Sequence, residues 1–291
     1  MKSKLFYIGF YTMLAMNLFA GGRVIESIEM KSKILNSSVN YSVYLPANYE
    51  TSQRSYPVVY LLHGGGDDET SWIQFGELDK YLDESIQNGI FPPAIFILPN
   101  GKLTCFSNDV EKKNAWRDMF VNELIPTVEK AYRIRSKREF RAIAGNSMGG
   151  FGALSVALNY PELFSTCIPM SAAILTDEDV VNMDDVRYSQ HFAQLCGIGL
   201  KGNDRLTDSW KAISPFYLIE KYANNKMNPI RFYFDCGDKD FLTKGNMLMH
   251  IKMNELKIPH EFRIRGGNHS WPYWRSGFVD ELKFIGDGFH R

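Results

Sequence analysis

The segment that most constrains this chain is Gly145-Asn146-Ser147-Met148-Gly149-Gly150. It is a G-x-S-x-G pattern between an apolar run, Arg141–Ala144, and a small, apolar, helix-like stretch, Gly150–Tyr160. A chain that passes from strand to helix in so few residues has no room for Cβ atoms two places before and after the serine. The same turn pushes the serine hydroxyl outward and sets a helix N-terminus, with its partial positive charge, beneath it. An ordinary strand–turn–helix with a capping serine leaves a similar trace. The pattern therefore carries chemistry only in the company of a base, an acid and an anion-binding loop.

The rest of the chain supplies a matching frame. Short apolar runs at Pro57–Leu62, Ala94–Leu98, Arg141–Ala144, Thr166–Met170 and Ile230–Phe234 each end close to Gly, Asp or Pro. Strands buried on both faces of a parallel sheet read this way. Val24–Ile34 and Val39–Leu45 alternate apolar with polar residues, as half-solvated strands do. Helical patterns lie between, at Leu78–Gln87, Met119–Tyr132, Gly150–Tyr160, Thr243–Leu256 and Tyr273–Ile285. This alternation predicts an α/β fold, with a mostly parallel central sheet and helices on both faces. Residues Leu175–Trp210 break the rhythm and are expected to form an irregular insertion or lid over the sheet edge. No Pro/Gly/Ser-rich linker divides the chain, so residues 21–291 are expected to form one domain.

Residues 1–20 read as a leader. Lys2 and Lys4 precede an apolar stretch of roughly 15 residues, and Ala20-Gly21-Gly22 offers a small-residue cleavage site. The stretch falls short of the roughly 20 residues of a spanning helix. The expectation is a signal peptide and a secreted or periplasmic mature protein, with no stable membrane insertion after cleavage. The chain balances 33 basic against 33 acidic side chains, which gives no basic footprint for a nucleic acid. Cys105, Cys167, Cys196 and Cys236 form no C-x-x-C pair, so a zinc or redox motif has no support. Cys167 and Cys236 read as core residues. A Cys105–Cys196 bridge is permitted by export, but nothing in the sequence argues for it.

Six histidines are candidate bases for Ser147. His269 follows the strand-like His260–Arg265 and sits in Gly266-Gly267-Asn268-His269, where paired glycines free the backbone to hold an imidazole over the elbow. His250 and His260 read as structural, His290 lies at the chain end, and His191 falls in the insertion. The acid is expected just past the fifth apolar run, where Asp238 and Asp240 both qualify; Asp235 is still within the strand. The Asp-rich run lacks the spacing and glycine of a calcium loop, so no metal is expected. His63-Gly64-Gly65-Gly66 directly follows the first buried run, as a glycine-rich oxyanion loop does, and Met148 N–H is the expected second donor.

At these residues the chain resembles the esterase D-type branch of the α/β-hydrolases. That branch holds carbohydrate esterase family 1 (feruloyl and acetylxylan esterases), S-formylglutathione hydrolases, tributyrin esterases and mycolyltransferases. The likeness is sharpest at Tyr60–Gly64, Glu123–Pro126 with Val128-Glu129, Gly145–Leu154, Tyr160–Phe164 and Gly266–His269. The resemblance implies the α/β-hydrolase fold and a serine carboxylic-ester hydrolase that needs no cofactor. It selects Asp240 as the acid, through Gly237-Asp238-Lys239-Asp240, and places the glycine loop's own oxyanion donor on Gly65, beside Met148. The implied substrate is an esterified carbohydrate or small-molecule ester, with feruloyl or acetyl groups on plant xylan preferred. Trp72, Phe151 and Trp271 are expected at the substrate, with Phe106, Trp116 and Trp274 also near site loops. An acyltransferase would use the same triad. A glutathione thioesterase fits a leader poorly. A catalytically silent carbohydrate binder would not need Ser147, Asp240 and His269 together. Leu175–Trp210 matches nothing in the family pattern.

Overall fold

The computed structural model describes residues 21–224 and 228–289; the expected leader, residues 1–20, and His290 lie outside them. Eight strands form one sheet: β1 Arg23–Ser32, β2 Ser37–Leu45, β3 Val58–Leu62, β4 Ile95–Pro99, β5 Arg141–Asn146, β6 Thr166–Met170, β7 Arg231–Gly237 and β8 His260–Arg265. Their order is β1-β2-β4-β3-β5-β6-β7-β8. The pairs β1–β2 and β2–β4 are antiparallel and the remaining pairs parallel.

Every residue of β3, β4, β5 and β6 is buried because helices cover both faces. Alternation sorts their side chains: Val58, Tyr60 and Leu62 enter one core layer, Val59 and Leu61 the other. Along the chain the helices are α1 Ser71–Gln74, α2 Leu78–Gln87, α3 Trp116–Met119, α4 Ile125–Ala131, α5 Met148–Asn159, α6 Asp177–Val181, α7 Asp185–His191, α8 Ala193–Cys196, α9 Asp208–Ile213, α10 Pro215–Ala223, α11 Thr243–Glu255 and α12 Trp271–Phe289. Leu78 and Leu82 of α2 pack with Phe278, Leu282 and Ile285 of α12 in one layer. Residues of α5, α10 and α11 share the other. Arg141, at the start of β5, holds Glu129 of α4 through two hydrogen bonds, so that buried ion pair ties a helix to the central strand.

Two segments differ from the sequence expectation. The helix expected over Met119–Tyr132 begins at Trp116 and passes through a π-helical turn, Phe120–Leu124, before α4. Pro126 cannot donate to the Asn122 carbonyl and its ring would press on it, and the wider turn lies just upstream. The stretch Leu175–Trp210 is not irregular: it holds α6, α7, α8, the start of α9 and a 3-10 turn, Gly202–Arg205. Helices of four to seven residues are too short to show a 3.6-residue period. Local caps build them instead. Thr176 and Asp179 form a reciprocal capping box, Asp184 accepts from Arg187 N–H, and Thr207 accepts from Trp210 N–H. Val180, Tyr188, Phe192 and Trp210 then join the main core.

At the β5–α5 junction the packing leaves no room for side chains. A Cβ on Gly149 would stand 2.4 Å from the Leu62 carbonyl oxygen and 2.7 Å from that of His63. One on Gly145 would stand 2.6 Å from Gly149 oxygen. Backbone cannot yield as a flexible side chain would. Gly149→Ala is expected to lower stability by about 3 kcal/mol or more, read as a fall in the urea midpoint at unchanged slope.

Candidate active site

Ser147 sits where β5 becomes α5, at φ 54° and ψ −116°, a region that a residue with a side chain rarely occupies. Neighbours on three sides hold it there. Its N–H donates to Met170 oxygen at 2.9 Å, and its carbonyl accepts from Ala173 at 2.9 Å and Phe151 at 3.1 Å. The strained turn aims the hydroxyl out of the core.

His269, in the loop between β8 and α12, brings Nε2 to 2.9 Å from Ser147 Oγ. Its Nδ1 lies 2.8 Å from Asp240 Oδ2, in the loop between β7 and α11. In the neutral ring these contacts fix the tautomer: Nδ1–H donates to the carboxylate and Nε2 is left to accept from the hydroxyl. Asp240 Oδ1 also accepts from Leu242 N–H at 2.8 Å. Burial works to raise the Asp240 pKa, but the bonds from His269 and Leu242 outweigh it and leave the carboxyl below the usual range. Asp240 is therefore ionised at neutral pH, beside the imidazole whose positive form it would stabilise.

The three aspartates of this region divide the work. Asp240 meets the imidazole. Asp238 Oδ1 accepts from Gly267 N–H at 2.8 Å and so pins the loop that carries His269. Asp235, in β7, is buried on Arg265 at 2.8 and 3.0 Å and on the Tyr273 hydroxyl. His250 and His260 bond to one another at 2.7 Å, away from the serine. His191 lies at the exposed end of α7.

The glycine loop adjoins the elbow. A Cβ on Gly64 would stand 3.7 Å from Ser147 Cβ, and one on Gly65 4.0 Å from Met148 Cβ. His63 sets the orientation of this loop. It is buried, its Nδ1 lies 2.8 Å from Gly64 oxygen, and its Nε2 accepts from Gly101 N–H at 2.8 Å. The Gly64 carbonyl and the Gly65 N–H belong to one trans peptide and point in opposite directions. Holding the carbonyl on the imidazole therefore turns the Gly65 N–H away from it. Burial pushes the His63 pKa down, which keeps the ring in the neutral form these two bonds require.

The expected substrate aromatics separate. Trp72 is buried, with its Nε1–H on Leu62 oxygen at 3.2 Å, and Phe151 is buried inside the core. Neither can meet a ligand: Trp72 props the end of β3 and Phe151 anchors α5. Trp271 stays partly exposed, between Trp72 and Phe75. Two rings not singled out in the sequence face solvent: Phe75, 50% exposed, and Phe241, 68% exposed. Phe241 lies 4.6 Å, centroid to centroid, from the His269 ring. Its place directly after Asp240 is the one sequence signal that could have marked it. All four cysteines are buried free thiols, and burial pushes Cys105 and Cys196 up to about 12. Among the described residues no group of three or more His, Cys, Asp or Glu is placed to hold a metal ion.

Residues 32–285 match the family model described as "Putative esterase". The chain belongs to this esterase family. A solved ferulic acid esterase is 28% identical, with a TM-score of 0.77 over 92% of this chain and 99% of that one. The acetyl esterase of Caldicellulosiruptor saccharolyticus is 25% identical over 276 residues, 90% of this chain and 97% of the relative. Esterase Rv1288 of Mycobacterium tuberculosis is 29% identical over 252 residues, 80% of this chain and 52% of the relative. The chain thus spans about half the length of that last protein. The α/β-hydrolase fold expected from the sequence is the fold observed.

Asp240 links stability to pH. Its folded pKa lies below the unfolded value near 3.9, so its contribution is present above that value and lost as pH falls through the folded one. Asp240→Asn is expected to be less stable than wild type at pH 7, with the gap closing below about pH 4, as measured by urea unfolding across that range.

Proposed function

We propose that the protein is a serine carboxylic-ester hydrolase that removes feruloyl or acetyl groups from plant polysaccharide outside the cytoplasm. The observation that carries this reading is the relay from Ser147 through His269 to Asp240, with contacts of 2.9 and 2.8 Å. Ser147 Oγ attacks the ester carbonyl as His269 Nε2 takes its proton, and Asp240 stabilises the imidazolium that forms. The N–H groups of Gly65 and Met148 receive the oxyanion at the N-terminus of α5, each donor lowering the barrier by roughly 3 kcal/mol. His269 then protonates the departing alcohol, and water resolves the acyl-enzyme by the same route in reverse. This chemistry needs no metal or organic cofactor.

The ferulic acid esterase and acetyl esterase among the relatives support the two acyl groups. Residues 1–20 support export. An exported esterase meets polymer esters rather than cytosolic thioesters, which favours the polysaccharide.

Ser147→Ala is expected to fold as wild type does and to lose turnover of methyl ferulate and p-nitrophenyl acetate by about 10⁴-fold or more. Equal rates in the two proteins would remove the serine from the chemistry. A panel of feruloylated and acetylated xylo-oligosaccharides, with and without a sugar acceptor, separates the two acyl groups and distinguishes hydrolysis from transfer. Cell fractionation, with sequencing of the mature N-terminus, tests export: cleavage after Ala20 is expected.

A further inference from the structure

The side of the site next to His269 has a wall that the mechanism does not use. Phe241 follows the acid of the relay, lies against the His269 ring, and is largely exposed. A cleft of about 480 Å³ adjoins it, between the Asp240 loop and the inserted α6–α7 segment. That volume falls within the roughly 300–1,000 Å³ of small-ligand sites. Leu175, Met183 and Phe241 form apolar lining, and Asn182, Asp184 and Arg187 add polar groups.

We infer that this cleft is the subsite for the leaving alcohol and takes a neutral saccharide unit, with Phe241 as its stacking platform. The inference rests on the esterase reading above and deepens it. The side follows from proton transfer: His269 gives its proton to the departing oxygen, so the alcohol leaves along the imidazole, where Phe241 stands. The class follows from the lining. A sugar ring has an apolar C–H face and a rim of hydroxyls, which match an exposed aromatic ring beside amide, carboxylate and guanidinium groups. A lipid alcohol would need a continuous apolar wall.

Charge also selects. Glu178, Asp179 and Asp184 line the cleft against Arg187 and Lys244, three carboxylates to two cations. Lys244 is already engaged, 3.1 Å from Asp179 and 3.7 Å from Glu178. The lining is therefore slightly acidic, which opposes an anionic thiol such as glutathione and leaves a neutral polyol unopposed. The platform is set in advance. Leu242 N–H and Thr243 Oγ1 bond to Asp240 at 2.8 and 2.7 Å, so the backbone flanking Phe241 is fixed before any ligand arrives.

The test compares two esters of one acyl group, acetylated xylotriose and p-nitrophenyl acetate. The readout is the ratio of their kcat/KM values within each variant. In Phe241→Ala the ratio is expected to fall about five- to tenfold, mostly through KM for the sugar ester, and to recover in Phe241→Trp. Met183→Trp, which fills the cleft, is expected to lower the same ratio. Equal losses on both esters, or an unchanged ratio in Phe241→Ala and Met183→Trp, overturn the assignment. Calorimetry separates this outcome from failure of the esterase reading. Xylotriose alone is expected to bind wild type and to bind Phe241→Ala at least about fivefold more weakly, whether or not esters turn over. Tighter binding of glutathione than of xylotriose overturns the inference.

Discussion

The backbone of Gly149 rests against the carbonyl ends of Leu62 and His63, and the proposed catalytic arrangement is aligned by that contact. β3 and β5 are parallel neighbours, with Leu62 opposite Gly145 in register. The glycine loop leaves β3 at the point where the Ser147 turn leaves β5. A close approach of two backbones thus fixes the distance between the Ser147 hydroxyl and the amides proposed to bind the oxyanion, without any side chain between them. The strain of Ser147 persists because its own N–H and carbonyl are held by Met170, Ala173 and Phe151. Relaxation of the turn would break several bonds to ease one residue.

The imidazole is placed by a different means. It stands on a loop between an edge strand and the last helix, where sheet pairing no longer constrains the backbone. Asp238 ties that loop at Gly267, Asp240 orients the ring, and Asp235 with Arg265 and Tyr273 braces the strand ends behind them. Three carboxylates within six residues would repel one another if they shared one partner. Each instead has its own cluster of donors, so each stays satisfied while serving a separate task.

Much of this was legible in the chain. Glycines at 145 and 149 exposed the elbow, because backbone contact leaves no room for a Cβ there, and the order of buried runs with His63–Gly66 after the first of them exposed the loop. His269 was legible from its paired glycines. Asp240 was not separable from Asp238 by position alone, since both lie past the same strand; the family pattern chose it, and the hydrogen bonds give each aspartate its own partner. The aromatics were the weak point. Trp72 and Phe151 lie near site loops in sequence, yet their side chains turn inward, and no periodicity reports where a single loop-adjacent ring points. The α6–α9 segment was hidden because capping, rather than an amphipathic period, builds its short helices.

His63 serves the glycine loop only while uncharged, giving at one ring nitrogen and taking at the other. A second proton would set two N–H groups against each other at Gly101. Burial has lowered its affinity for that proton, so the cost of charging it is borne by the fold and begins as pH drops past the ordinary imidazole value near 6.5. Asp240 remains ionised well below that point. Mild acid therefore draws on the stability of the fold while the native His63 ring stays neutral, and it does so well above the pH at which the Asp240 carboxylate discharges.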